Sequence, residues 1–312
     1  MPRPELIALF GPTGIGKTAV AVELAEMLRE VGEQPVAVSA DALQVYQGLE
    51  ILAGVASAGE QQRLEHRLVS FLPVDATFSA GQYAELAHSQ IDDLLATGAL
   101  PLVVGGTGLY LRAALADLSL RPPPAAGLRE HWLAELERLG PQNLHRELER
   151  RAPWAAAEIA PGDSHRLVRA LELHDAGELA PPAGDSELWT SVTRRPTLLI
   201  GLVCDRETLY ARIEARVDAM IAAGAERQVR LAHAAGASVT ARKALGFNEL
   251  LSGDVEGMKR RTRNYARRQL TWMRKLPAAT VIDLGVRSPA SVAAEILRRW
   301  QEGGKNPIAW EQ

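Results

Sequence analysis

Short apolar runs punctuate the chain at strand-like lengths: "ELIALF" at 5–10, "PVAVSAD" at 35–41, "LPLVVGG" at 100–106, "PTLLIGLVC" at 196–204 and "ATVIDL" at 279–284. Continuous apolar runs bounded by Gly, Pro and polar residues read as strands buried on both faces. Between them the period changes. From Lys17 to about Val31, Val20, Leu24 and Leu28 recur at spacing four, and "SAGQYAELAHSQIDDLLATG" is again helical. Strands alternating with helices predict an α/β fold with a parallel sheet.

This rhythm breaks at "RPPPAAG" (121–127), after which Leu128 to about Gly177 is helix-like without a strand signal, until "APPAGDSE" breaks it again. The pattern predicts a sheet core whose first segment covers residues 1–117, a mostly helical insertion over 118–195, a second core segment over 196–303, and a tail from 304 to 312. From Arg206 to Trp272 the second core segment is helical, in pieces broken near Gly224, Gly236 and Gly253.

Composition narrows the class. With 312 residues, 47% hydrophobic and 23% charged, the chain can bury a sizeable core. No apolar run approaches the length a bilayer needs, and the N-terminus enters a strand-like run directly, so neither a membrane span nor an export signal is expected. The one cysteine, Cys204, excludes an internal disulfide and a multi-thiolate metal site, in keeping with a cytoplasmic location. Net charge is −3, yet Gly257 to Ile282 contains no Asp or Glu while Lys and Arg crowd there, which suggests an anionic partner.

The strongest chemical signal is "GPTGIGKT" at 11–18, a GxxxxGK[ST] phosphate-binding loop between strand and helix. Gly11, Thr13, Gly14 and Gly16 let backbone N–H groups approach phosphate oxygens, Lys17 supplies a point charge, and Thr18 can place a hydroxyl on Mg²⁺. The motif implies a bound phosphate or diphosphate and does not by itself prove a nucleotide. Asp41 ends the second strand at the carboxyl edge, where open α/β sheets place ligands. It could be a general base, a metal ligand or a cap. Thr107, in "GGTGLYL", offers a hydroxyl to a neighbouring carboxylate or ligand, or caps the next helix. In "GDSHRLVRALEL" Asp163 or Ser164 caps a helix on which Arg166 and Arg169 share a face. "KRRTRNYARRQLTWMRK" (259–275) winds into a helix with Arg260, Arg261, Arg263, Arg267, Arg268, Arg274 and Lys275 on one side and Tyr265, Ala266, Leu270, Trp272 and Met273 on the other. A solubilising surface would mix both signs, so a single-sign face favours RNA or diphosphate.

"GPTGIGKT", "SADALQVY", "GGTGLYL", "GDSHRLVRALEL", "GFNEL" and "RNYARRQLTWMRK", in this order, resemble the bacterial tRNA dimethylallyltransferases over roughly residues 5 to 285. The resemblance implies a P-loop NTPase-like parallel sheet flanked by helices with a helical insertion domain. It implies that the loop holds the diphosphate of dimethylallyl diphosphate, and that adenosine 37 of tRNA is flipped into the site, where its N6 attacks C1 of the allyl group and diphosphate leaves with Mg²⁺. Asp41 is then the base, Thr107 orients Asp41 or the phosphates, and Arg263 is the favoured cation for the leaving group. The family's tRNA contacts map onto Asp41, Ala42, Leu43 and Gln44, His165, Arg166 and Arg169, and Arg242, Lys243, Gly246 and Phe247, with Arg267 and Arg268 as further RNA contacts. A monomer is expected. Ala42 stands where the family has Ser, and "ILAGVAS" (51–57) replaces its lysine-bearing stretch. Two other readings share the first motif: a P-loop small-molecule or nucleotide kinase with Asp41 as base, and a nucleotide-dependent RNA-binding switch, which should end a hydrophobic strand in an acid where "LPLVVGG" ends in glycine.

Overall fold

A computed structural model describes residues 3–121, 127–181 and 187–303. The described residues form β1 (Leu6–Phe10), α1 (Lys17–Glu30), β2 (Pro35–Ser39), α2 (Glu50–Ala53), α3 (Ala58–Arg63), β3 (His66–Arg67), α4 (Ala80–Ala96), β4 (Leu100–Gly105), α5 (Gly108–Leu115), α6 (Leu128–Leu139), α7 (Pro141–Arg151), α8 (Pro153–Ala157), α9 (Ser164–Asp175), β5 (Thr197–Val203), α10 (Arg206–Ala222), α11 (Ala225–Ala234), α12 (Phe247–Ser252), α13 (Val255–Arg274), β6 (Thr280–Asp283) and α14 (Pro289–Gln301). The strands make one six-stranded parallel sheet in the order β3-β2-β4-β1-β5-β6. The predicted α/β fold is therefore observed. The two-residue β3 is too short to carry a pattern, and sequence reading missed it.

The chain divides into two compact units, one of Met1–Ser119 with Leu188–Gln312 and one of Leu120–Glu187. The insertion is thus shorter at its far end than the expected 118–195. Residues 188–195 belong to the sheet unit, where Arg194 and Arg195 pair with Asp92 on α4 at 3.0 and 2.9 Å and Trp189 lies 4.6 Å from Trp272.

In the sheet unit β1 is buried along its length because it pairs on both sides, with β4 and with β5. α1 and α14 cover the sheet, and Trp300 of α14, 1% exposed, donates from Nε1 to the Pro4 carbonyl at 3.0 Å. Ser57 and Ser79 close capping boxes on α3 and α4, while Asp205 and Asp254 cap α10 and α13. Gly224 and Gly253, both with positive φ, separate the helices near the expected breaks.

The insertion unit packs α6–α9 around Trp132, Leu144, Leu148, Leu167 and Leu171. Glu172 is fully buried within it and is held by Arg129 at 2.7 Å and Arg169 at 3.2 Å. A buried carboxylate persists only when paired in this way.

Candidate active site

The sheet order reverses at β1, and the ends of β1, β2 and β4 open onto one cavity of 680 Å³ within the sheet unit. Its floor is the phosphate-binding loop, with Gly14 and Gly16 at φ of 82° and 104°. α1 begins at Lys17, so its first-turn N–H groups and the positive end of its dipole face the cavity. Lys17 Nζ donates to the carbonyls of Gly11 (2.8 Å) and Pro12 (3.1 Å). Burial pushes its pKa down to about 8, nearby Arg216 adds to the shift, and Asp41 opposes it. An anion arriving in this cavity would restore the full charge.

Asp41 lines the same cavity, close enough for its charge to act on Lys17. Its Oδ1 accepts from the Leu43 N–H at 3.0 Å, a local turn, so Asp41 does not cap a helix. Thr107 sits at the N-cap of α5 without a side-chain capping bond, and its hydroxyl lies 3.3 Å from the Tyr265 hydroxyl. Burial and the Asp41 charge push Tyr265 up to about 12, so it stays protonated. Thr107 is therefore oriented by α13, and no bond to Asp41 is present among the described residues.

Two further residues bind this site together. Arg216, on α10, lines the cavity; burial holds its guanidinium below the ordinary arginine range against the opposing charges of Asp41 and Glu60. Its Nε is buried without a hydrogen-bond partner among the described residues. A Cβ added to Gly54 would overlap this guanidinium. Gln269, on α13 and 4% exposed, accepts from the Thr13 N–H at 2.9 Å and donates to the Gly106 carbonyl at 2.6 Å, so it bridges the phosphate loop and the turn after β4. Sequence reading missed both. The signal for Arg216 was faint: on α10, Arg212 and Arg216 each stand one position ahead of a buried residue, Ile213 and Val217.

The favoured arginine changes accordingly. Arg263 does not line the cavity; its guanidinium pairs with Glu214 on α10 at 2.7 Å. The single-sign face of α13 is likewise tempered, since Lys259 pairs with Asp218 at 2.8 Å and Arg261 pairs with Glu249, acids supplied by other helices. Arg267 and Arg268 are exposed with no carboxylate partner among the described residues, and Arg268 borders the cavity. The buried stripe of α13 is Met258, Thr262, Ala266, Gln269 and Met273, whereas the expected core residues Tyr265, Leu270 and Trp272 are half-buried.

The other expected contacts separate by exposure. Ala42, Leu43 and Lys243 line the cavity, as does Gln44, although its amide already accepts from Ser39 (2.8 Å) and donates to Gly54 (3.0 Å). Phe247 is fully buried and so belongs to the core, and Gly246, also buried, leaves room for Met258. Arg242 is exposed and donates to the Ala237 carbonyl at 2.8 Å. In the insertion unit Asp163 caps α9 through the Arg166 N–H at 3.2 Å, and His165 and Arg166 are exposed. Arg169, expected to share their face, turns inward to Glu172.

A parallel sheet whose first strand feeds a phosphate-binding loop, with a carboxylate and buried cations lining one cavity, defines a P-loop protein. The IPP transferase family model matches residues 44–276, and the chain belongs to this family. A tRNA dimethylallyltransferase of Kineococcus radiotolerans is 40% identical, covering 88% of this chain and 90% of the relative. One of Desulfosudis oleivorans is 37% identical, with 90% and 91% covered. The crystal structure of the tRNA isopentenylpyrophosphate transferase of Bacillus halodurans aligns at a TM-score of 0.68 with 30% identity, covering 96% of this chain and 98% of that one. A eukaryotic dimethylallyltransferase solved acting on tRNA shares the fold, at a TM-score of 0.75 and 22% identity over 98% of this chain and 81% of its own.

Proposed function

We propose that this enzyme, of the prenyltransferase type, transfers a dimethylallyl group from dimethylallyl diphosphate to N6 of adenosine 37 in tRNAs that read codons beginning with U. The observation that carries the proposal is the cavity itself, in which Lys17 and Arg216 face Asp41 beside a wall built from Leu52, Val217, Met220 and Met258. Such a wall suits an isoprenoid tail, and the cations suit its diphosphate.

The N6 lone pair attacks C1 of the allyl group as the bond from C1 to the diphosphate oxygen breaks. Asp41 takes the N6 proton, which an exocyclic amine must lose as it acquires carbon. The electron pair of the broken bond leaves on diphosphate, whose growing charge meets the Lys17 ammonium, the Arg216 guanidinium and the N-terminus of α1. Thr107, steadied by Tyr265, presents its hydroxyl beside these groups. No cluster of three His, Cys, Asp or Glu able to hold a metal exists among the described residues. Thr18 and the carboxylate of Glu60, both lining the cavity, are oxygen donors of the kind that would hold Mg²⁺, whose remaining positions are ordinarily filled by waters and phosphate oxygens. When bound, Mg²⁺ would neutralise phosphate charge.

In this reading Ala42, Leu43, Lys243 and Arg268, which line the cavity, meet the flipped nucleotide and its flanks, exposed Arg267 meets phosphate, and exposed His165 and Arg166 meet the anticodon stem. The enzyme works as a monomer in the cytoplasm, where its RNA is made; no helix among the described residues is long and apolar enough to cross a membrane. A kinase is not favoured: α13 commits the cavity mouth to exposed arginines that a small acceptor does not need.

The test is incubation with Mg²⁺, labelled dimethylallyl diphosphate and unmodified tRNA, beside Asp41→Ala. Label should reach adenosine with the native protein and fall by about 10³-fold in the variant, the range of a lost general base. Consumption of ATP with a small acceptor and no labelled RNA would install the kinase instead.

A further inference from the structure

Thr107 stands at the N-cap of α5 without a side-chain capping bond, and its hydroxyl meets the Tyr265 hydroxyl at 3.3 Å. That distance is long for a bond between hydroxyls, so it turns the Thr107 side chain without fixing the backbone behind it. Where Thr107 stands is set by where α5 stands. The segment by which the chain returns from the insertion, re-entering the sheet unit at Leu188, is tied to α5 from one end to the other. At the C-terminal end of α5 the Arg194 N–H donates to the Leu115 carbonyl at 2.8 Å, and the Arg194 guanidinium pairs with Asp92 and Asp117, each at 3.0 Å. In the middle, Arg112, 2% exposed, donates to the Thr190 hydroxyl at 3.3 Å and the Val192 carbonyl at 3.2 Å. At the start of α5 the tie is aromatic. Trp189 and Trp272 are half-buried with ring centres 4.6 Å apart, and the six-membered ring of Trp272 lies so close to Gly108 that a Cβ there would overlap it. Lys275 Nζ stands 5.0 Å over the Trp189 ring and adds a cation–π contact to the pair.

We propose that Trp189 is a positioning residue, which backs Trp272 against Gly108, fixes the start of α5 and thereby places Thr107. Of the ties described, the polar ones reach Arg112 and Leu115, whereas the indole pair reaches the residue next to Thr107. Trp189 does not line the cavity, so it acts through Trp272 and not on a substrate. Removing its ring leaves Trp272 free to tilt away from Gly108, and the first turn of α5 loosens with Thr107 on it. The kinetic consequence rests on the prenyl-transfer reading; the clamp on α5 does not.

The test compares the native protein with Trp189→Ala, Trp189→Phe, Thr107→Ala and the double variant of Trp189→Ala with Thr107→Ala. In steady-state transfer of labelled allyl to tRNA, Trp189→Ala should lower kcat by about tenfold, less than a full ångström of displacement costs, with KM for donor and tRNA within about twofold. Trp189→Phe keeps a ring in place and should stay within about threefold of native. In the Thr107→Ala background the same tryptophan change should cost less than about twofold, because the group it places is gone. A full tenfold loss in that background, or a loss that phenylalanine does not rescue, would overturn the proposal. A second measurement uses no substrate: amide hydrogen exchange across Gly108–Leu115 should quicken at least about fivefold in Trp189→Ala and stay native in Trp189→Phe, with α1 unchanged in both. If the alanine variant does not fold, Trp189→Leu against Trp189→Phe carries the same comparison of a chain without a ring and a chain with one. Native exchange across α5 while label still reaches tRNA ends the clamp alone; absence of transfer by the native protein ends the prenyl reading, and exchange then decides the clamp.

Discussion

α10 and α13 lie side by side in the sheet unit, and their arginines meet opposite fates. α13 carries the conspicuous cluster, yet Arg263 and Lys259 are answered by Glu214 and Asp218, both on α10. α10 mixes its signs as a solvated helix does, yet its Arg216 reaches the cavity with an unpartnered buried Nε. A run of like charge in sequence is therefore a poor guide to free charge in space, because the counter-charge arrives on another element. An isolated arginine beside a buried stripe is the better candidate for chemistry when acids feel its charge across a cavity but none pairs with it directly.

The sharpest way to break this comparison is to remove one arginine from each helix. Arg216→Ala should lower kcat/KM for prenyl transfer by about 10²-fold, the typical cost of one donor to a developing anion. Gly54→Ala leaves every charge in place but puts a methyl group into the guanidinium, and steady-state kinetics should show about a tenfold loss if placement by an ångström matters as it does elsewhere. If Gly54→Ala is silent while Arg216→Ala is not, the arginine acts as a diffuse charge. Lys17 gives a pH handle of smaller size. Its folded pKa, about 8, is below its ordinary value of 10.5, so between these values the unfolded chain binds more protons and stability should rise with pH. Thermal melts should show this rise in the native protein and lose it in Lys17→Met. For the same reason diphosphate should bind with proton uptake above pH 8, seen as a dependence of calorimetric heat on buffer. The smallest effect is expected from Arg263→Ala, within about threefold in kcat/KM and under about 1 kcal/mol in stability, as for a partly exposed ion pair. A hundredfold loss there would return the catalytic cation to α13.

What could be read from the chain follows how local its determinants are. β1, the phosphate loop and α1 are contiguous, so period and spacing reveal all three. Asp41 and Thr107 follow from the rule that ligands gather at the carboxyl ends of strands. Arg216 and Gln269 are not local in this sense. Gln269 matters because of Thr13 and Gly106, more than 150 residues away, and no periodicity carries that information. Phe247 shows the converse: it lies in a recognisable motif, but its side chain is fully buried in the core. On α9 the expected face divided because buried Glu172 claims Arg169, and a fully buried acid is not visible as such in a helical pattern.

The strand order also sets a clock. β1 is finished within the first residues of the chain, but its partners β4 and β5 lie about 95 and 190 residues downstream. At ribosomal speeds of about 5–20 residues per second, β1 and the loop behind it wait roughly 10–40 s for their second edge to be synthesised. Closing so long a loop costs entropy that local helices cannot offset. During that interval a fully apolar strand stands with an open edge, and the nascent chain is at its most vulnerable to aggregation before it has any phosphate to hold.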